Sequence, residues 1–497
     1  MNVKIWKKLS HATTALISIV AIPVLLFSSP LWARDIDELL TTPFVDPLHT
    51  RPDVLDKGVV LPGDTAPWQC KTSRDFSTPL SLNEAVDLAL CNNAQVKMAW
   101  ATIKVQAAAV GTADAAYLPI ISATVSRLRT QTSYPDSGIA SSEVTGNTVY
   151  GSFNWRLFDF GTRAANRQSA NSALTAALAD HDASLQKTLA QTIQAYFDVQ
   201  STHAILLAKE QGEAIASETL ESARRREAKG IVARSDTLQA NTALAKASLD
   251  KNRAMGDYQK SMSILIYALG LPAGTHIVLA EETDDGAKSG KIEKFAATQT
   301  EDLDMWLRNA EQFHPAIQSA RAQWEAAQSN IASARASGLP TVDFTANNYQ
   351  NGYPGQGLQS MGSHINSIGI SVSIPIFDGF STTYKIRNAQ AQAEQHQAQL
   401  EDVERNVLME VVKAHADAVS SLKNLQSSED LLDAAQEALA TSQRKYNKGA
   451  ADILEILGTQ GSLADAKQER IRCIAEWRSA RLRLLANVGT LGMSSIQ

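Results

Sequence analysis

A mainly α-helical chain that contributes four strands to a membrane β-barrel is the fold class this sequence predicts. Three observations predict it: an internal repeat at a nearly constant offset, two long runs without glycine or proline, and four short segments in which apolar and polar residues alternate. The 497 residues, 44% hydrophobic and 20% charged, hold one long apolar stretch, at the N-terminus. A polytopic helical membrane protein would need several stretches of about 20 apolar residues. With 46 basic against 52 acidic residues the net charge is −6, which argues against nucleic acid as a partner.

The N-terminus reads as a secretory leader. Lys4, Lys7 and Lys8 precede an apolar run from Ala12 to Phe27, and Ser28 to Ala33 supply a small-residue exit. An uncleaved anchor is the alternative, disfavoured by the short run and Pro23. No cysteine stands near the exit, so lipidation there is not expected. Export to an oxidising space lets Cys70 and Cys91 pair, leaving Cys473 over; three free thiols remain the alternative, because spacing does not fix connectivity. Closing that loop would contribute about 3 kcal/mol.

The repeat organises the rest. Asn93-Ala94-Gln95-Val96 answers His314-Pro315-Ala316-Ile317, and Leu118-Pro119 answers Leu339-Pro340, both at an offset of 221. Leu157-Phe158-Asp159 answers Ile376-Phe377-Asp378, Lys229-Gly230 answers Lys448-Gly449, and Leu269-Gly270 answers Val488-Gly489, all at 219. The expected division is 1–33 signal peptide, 34–80 extended N-terminal periplasmic segment, 81–270 first repeat, 271–299 connector, 300–489 second repeat and 490–497 C-terminal tail.

Within each repeat the helices come from the runs without breakers, Thr162 to Gln211 and Ser381 to Lys448. At 1.5 Å per residue the longer run would span about 100 Å, beyond ordinary globular helices, and its alanine, glutamine and leucine suit narrow seams. The strands come from period-two alternation. Ile121, Ala123 and Val125 share one face; so do Val149, Gly151, Phe153, Trp155 and Leu157; so do Val342, Phe344 and Ala346; so do Ile368, Ile370, Val372, Ile374 and Ile376. Leu128 to Gly146 and Asn348 to Asn366, rich in Gly, Ser, Tyr and Asn, read as exposed loops. Four strands cannot close a barrel, and an open edge in lipid leaves backbone groups unpaired, so the chain is expected to oligomerise; three copies, a homotrimer, would give 12 strands. A solitary periplasmic coiled-coil scaffold or adhesin is the alternative, but it leaves the strands unexplained. No phosphate loop, nucleophile elbow or CxxC or HExxH spacing occurs, so no enzyme, cofactor or metal site is expected.

The motifs SLNEAVDLALCNNAQV from Ser81, WRLFDFGTR from Trp155, IPIFDGF from Ile374, LADAKQE from Leu463 and NVGTL from Asn487 resemble those of the TolC family of trimeric outer-membrane efflux and secretion channels. The resemblance covers about 80–495. It implies a Gram-negative outer-membrane location, four strands per chain in a shared 12-stranded barrel, and a periplasmic helical tunnel. It also implies passive conduction within a tripartite type I secretion or efflux system, with outer-membrane lipid, a periplasmic adaptor and an inner-membrane transporter as partners. Adaptor docking falls on the hairpin tips at Lys229, Gly230, Ile231, Lys448, Gly449 and Ala450. A periplasmic gate falls on Asp236, Tyr446 and Glu455, with Tyr446 bonding across to Asp236 and Glu455 contributing to a cation-attracting ring. Two departures stand out: Ala451 occupies a position where the family can carry a latch arginine, and Gly458 replaces a second ring acid. The first tip is bounded by Arg226 and Asp236.

Overall fold

The computed structural model describes residues 46–62, 64, 70, 78–133, 140–280, 303–351, 362–448 and 450–493. The expected signal peptide and Gly449 lie outside them, as do most of the connector and half of the C-terminal tail. Residues 46–51 belong to a unit of their own, in which the Asp46 carboxylate accepts the backbone N–H groups of Thr50 and Arg51 at 3.2 and 2.9 Å.

In the second unit the order is α1 (Val54–Lys57), α2 (Leu82–Asn92), α3 (Ala94–Ala115), β1 (Ile120–Thr132), β2 (Ser142–Phe158), α4 (Thr162–Ala228), α5 (Arg234–Ala268), α6 (Leu303–Phe313), α7 (Pro315–Ala336), β3 (Thr341–Gln350), β4 (His364–Ser373), α8 (Ser381–Asn447) and α9 (Ile453–Val488). The repeat is visible in the lengths. Helices α4 and α8 have 67 residues each, α3 and α7 have 22 each, and α5 and α9 have 35 and 36. A rise of 1.5 Å per residue makes α4 and α8 about 100 Å long. α4 continues through Gly212 to Ala228, because α5 packs along it and tertiary contact outweighs the ~1 kcal/mol propensity cost of one glycine.

Starts and stops follow local chemistry. Ser81 and Glu84 form a reciprocal capping box at α2. The breaks between α2 and α3 and between α6 and α7 use equivalent residues: Asn93 Oδ1 accepts the Gln95 N–H at 2.8 Å, and His314 Nδ1 accepts the Ala316 N–H at 3.2 Å. Burial pushes the His314 pKa down to about 4 from its ordinary 6.5. A folded pKa below the unfolded one means that the neutral ring is favoured on folding. Stability is therefore full above pH 6.5 and is expected to fall as pH drops from 6.5 to about 4. His314→Asn, which imitates Asn93, should flatten that part of a melting-temperature profile against pH.

The helices pack as hairpins, α4 on α5 and α8 on α9, with α3 and α7 against α4 and α7 also against α8. The largest core lies where α2, α4, α5 and α9 meet. There Tyr196, fully buried, donates its hydroxyl to the Leu80 carbonyl at 3.1 Å. The 34–80 segment is not simply an extended tail: it includes the α1 turn and puts Leu61 into this core. Along the hairpins the seams are small, as at Ala223 against Ala240. Cys70 and Cys91 are disulfide-bonded with Cα atoms 5.6 Å apart, and Cys473 is a buried free thiol. No described helix is long and apolar enough to cross a membrane.

The strands form one antiparallel sheet in the order β1-β2-β3-β4. They run further than the alternation suggests. Leu128 to Thr132 pair with Gly146 to Ser142, and Asn348 to Gln350 pair with Asn366 to His364, so the expected loops are shorter. β4 stops at Ser373, and Ile374 and Ile376 lie beyond it, because Pro375 has no N–H to offer a ladder.

Candidate functional site: a two-faced sheet and the hairpin tips

The register gathers the apolar residues of all four strands on one face. Ile121 lies opposite Phe153, Phe153 opposite Ala346, and Ala346 opposite Ile368; Trp155 lies opposite Phe344, and Phe344 opposite Ile370. Ile368, Ile370 and Val372 are 60–77% exposed, a state that water disfavours and hydrocarbon rewards. One expectation is corrected. A register shift between Arg156 and Phe158 leaves Leu157 unpaired and sets Phe158, not Leu157, opposite Val342. The extra residue of a bulge moves everything after it to the other face.

The opposite face is polar and internally bonded. Ser122 and Ser152 hydroxyls meet at 2.6 Å, Tyr150 stacks on Tyr349 with centroids 4.9 Å apart and donates to Asn347 Oδ1 at 3.1 Å, and Arg156 Nε donates to Asp343 Oδ1 at 2.9 Å. Such groups suit a water-filled lumen.

The junctions with α4 and α8 explain the LFD and IFD motifs. Phe160 and Gly161, and Gly379 and Phe380, take left-handed backbone angles in succession, turning the chain from strand to helix. Asp159 Oδ2 then accepts the Arg163 N–H at 3.0 Å and Asp378 Oδ2 the Thr382 N–H at 2.7 Å, satisfying first-turn donors. Arg163 is fixed by Asp159, by the carbonyls of Ala116, Arg156 and Leu157, and by the Tyr117 ring. Phe158 with Phe160 and Phe377 with Phe380 form exposed edge-to-face pairs at this end of the sheet, where a membrane interface favours aromatic rings.

At the far ends of the long helices the chain turns twice. Gly230, at φ 68°, closes α4: its N–H donates to Glu227 O at 2.8 Å and that of Ile231 to Arg226 O at 2.9 Å. The second tip repeats the bond, Ala450 N–H to Lys445 O at 2.9 Å. Lys229, Ile231, Lys448 and Ala450 are exposed. Tyr446 is buried against Ile453 and Ile456. The expected bond from Tyr446 to Asp236 is not made, since the Tyr446 hydroxyl has no hydrogen-bond partner among the described residues and Asp236 Oδ1 accepts from Ser235 Oγ at 3.2 Å. The guanidinium of Arg226 instead lies 4.4 Å from the centre of the Tyr446 ring, joining the two hairpins through a cation–π contact. Glu455 accepts from Ser442 Oγ at 3.0 Å and Lys445 Nζ at 3.4 Å. Arg226, which the motifs placed only at the edge of the first tip, and Ser442 and Lys445, which they did not single out, thus make contacts with the expected gate residues. Further up the first hairpin, Lys251 and Ser248 both reach Glu213 at 2.5 Å, and Lys251 holds that carboxyl below its ordinary pKa.

A sheet apolar on one face and polar on the other, carried on helices of about 100 Å, defines a subunit of a membrane channel whose passage continues into a helical tunnel. The chain belongs to the outer membrane efflux protein family, whose signature matches residues 85–271 and 306–490. It is 32% identical over 439 residues to protein CyaE of Bordetella pertussis, across 87% of this chain and 90% of that one. It is 23% identical to outer membrane protein TolC of Escherichia coli, across 71% and 69%. The crystal structure of outer membrane protein VceC from Vibrio cholerae shares its fold, with a TM-score of 0.69 at 20% identity over 82% of this chain and 96% of VceC. The protein is therefore an outer-membrane channel of efflux or secretion with a periplasmic tunnel, and the coiled-coil scaffold reading is set aside.

Proposed function

We propose that three copies join edge to edge, β1 of one chain beside β4 of the next, to close a barrel of 12 strands, four from each chain. The pore conducts substrates passively from the periplasm to the exterior as the outer-membrane part of a tripartite type I secretion or efflux system. The observation that carries this reading is the consistent apolar face of a sheet whose two edges are unpaired among the described residues. Lipid offers no water to satisfy those edges, and another copy supplies the missing partner strand. A periplasmic adaptor docks on the tips at Lys229, Gly230, Ile231, Lys448, Gly449 and Ala450, and an inner-membrane transporter supplies energy and selectivity. The chain performs no chemistry of its own on the cargo.

The tips act as the gate, and the Arg226–Tyr446 contact is what ties the two hairpins together at their ends, with Asp236 and Glu455 lending negative charge nearby. A cation–π contact between a half-buried arginine and a buried ring is worth about 1–2 kcal/mol. Arg226→Ala is therefore expected to raise the conductance of the purified channel in planar bilayers. Tyr446→Phe keeps the ring and removes a hydroxyl without a partner, so its conductance should match the unaltered channel. Stepwise, ion-conducting insertions by the full-length protein support the function, and their absence contradicts it. Deleting the protein and scoring protein export against drug sensitivity separates secretion from efflux.

A further inference from the structure

Above the apolar belt the lipid-facing side of the sheet changes character. Along β1 the outward series Ile121, Ala123, Val125 continues into Arg127 and Arg129, both exposed. These are the first charged residues on that face counting away from the helices. Arg127 lies opposite Asn147, 11 residues beyond Phe158 on β2, which at 3.3 Å per residue and a tilt of about 40° is a height of roughly 25–28 Å. That height is the thickness of a barrel's apolar band, so the arginines stand at its outer rim, on the side away from the periplasmic helices.

Arg129 Nε is held by Glu143 Oε1 at 2.7 Å, which offsets part of its charge. The Arg127 side chain has no ion pair or hydrogen bond among the described residues, its backbone pairing with Asn147 in the ladder. Asn147 and Thr145, exposed on the same face opposite the two arginines, add groups able to bond phosphate oxygens or sugar hydroxyls. A guanidinium at this depth is costly against acyl chains and favourable against a phosphate, which it can bind through two parallel N–H donors.

We propose that Arg127 and Arg129 form a binding site for the phosphate of a phosphorylated glycolipid in the outer leaflet. This lipid chemistry fits better than a zwitterionic headgroup, whose ammonium would meet the guanidinium. The site continues the lipid contact of the apolar belt and fixes the height of the barrel in the membrane. It rests on the three-copy barrel proposed above.

Native mass spectrometry of the full-length protein, released from detergent in the presence of diphosphoryl lipid A, tests it. The trimer should retain diphosphoryl lipid A in preference to the dephosphorylated form and to phosphatidylglycerol, and an Arg127→Gln, Arg129→Gln trimer should retain it at least about tenfold less well. Dephosphorylated lipid A needs no variant, so a folding defect cannot mimic the result. An intact trimer that retains all three lipids equally, or a double variant that binds as the unaltered protein does, overturns this inference alone. A spectrum of monomers overturns the barrel reading and this site with it.

Discussion

Ile370→Lys is expected to eliminate assembled channels from the outer-membrane fraction, while Ser371→Lys, one residue away, leaves them in place. Ile370 lies between Ile368 and Val372 on the apolar face and pairs with Phe344 across the ladder. It sits within the belt, where a lysine costs up to about 2–4 kcal/mol in a barrel strand. Three copies multiply that cost, bringing it to the order of the whole stability of a domain. Ser371 pairs with Asp343 on the polar face, where a lysine meets water and a carboxylate. The measurement is the amount of heat-modifiable oligomer in outer-membrane extracts. Equal loss in both variants would mean that the two faces have the same surroundings, which the register forbids for a barrel wall.

Gly270→Ala and Gly489→Ala are expected to lower stability by about 2–5 kcal/mol each, combining 1–2 kcal/mol for a left-handed alanine with 1–3 kcal/mol for overpacking. The two glycines occupy equivalent places in the repeat, closing α5 and α9 at φ 66° and 83°. A Cβ on Gly270 would come within 2.7 Å of the Asn92 backbone, and one on Gly489 within 2.8 Å of Pro315 Cδ and 3.3 Å of His314 Cα. Each helix end thus rests against the break between the two opening helices of its own repeat, and the backbone there cannot yield as a flexible side chain would. Gly230 is the control: at φ 68° it is also left-handed, but nothing lies within 4 Å of its Cβ position. Gly230→Ala should therefore cost only the backbone part. Thermal unfolding of the detergent-solubilised protein should rank Gly230→Ala as the mildest of the three.

The fold was legible where a physical signal repeats over many residues. The phase of the strand alternation identified the lipid-facing residues, because a period of two survives any uncertainty about where a strand ends. The ends themselves were hidden: from Leu128 to Thr132 the outward residues turn polar at the rim, so pairing continues after the apolar signal stops. The bulge at Leu157 was invisible for a related reason, since one extra residue leaves no mark in composition. The glycine-free run placed α8 to within a residue, whereas α4 ran past Gly212 on the strength of packing that no local sequence reveals.

At the tips, motif spacing picked out Tyr446 and Glu455, but the bond it assigned from Tyr446 to Asp236 is not made within the chain. Arg226 was camouflaged, because a basic residue in the last turn of a helix is what the helix dipole favours in any case.

The assembly on which lipid contact, conduction and gating all depend can be weighed directly. Native mass spectrometry of the full-length protein in detergent should give a single particle three times the mass of one chain. A particle of one or two chains that stays dissolved when the detergent is removed would leave the four strands with open edges and contradict a shared barrel.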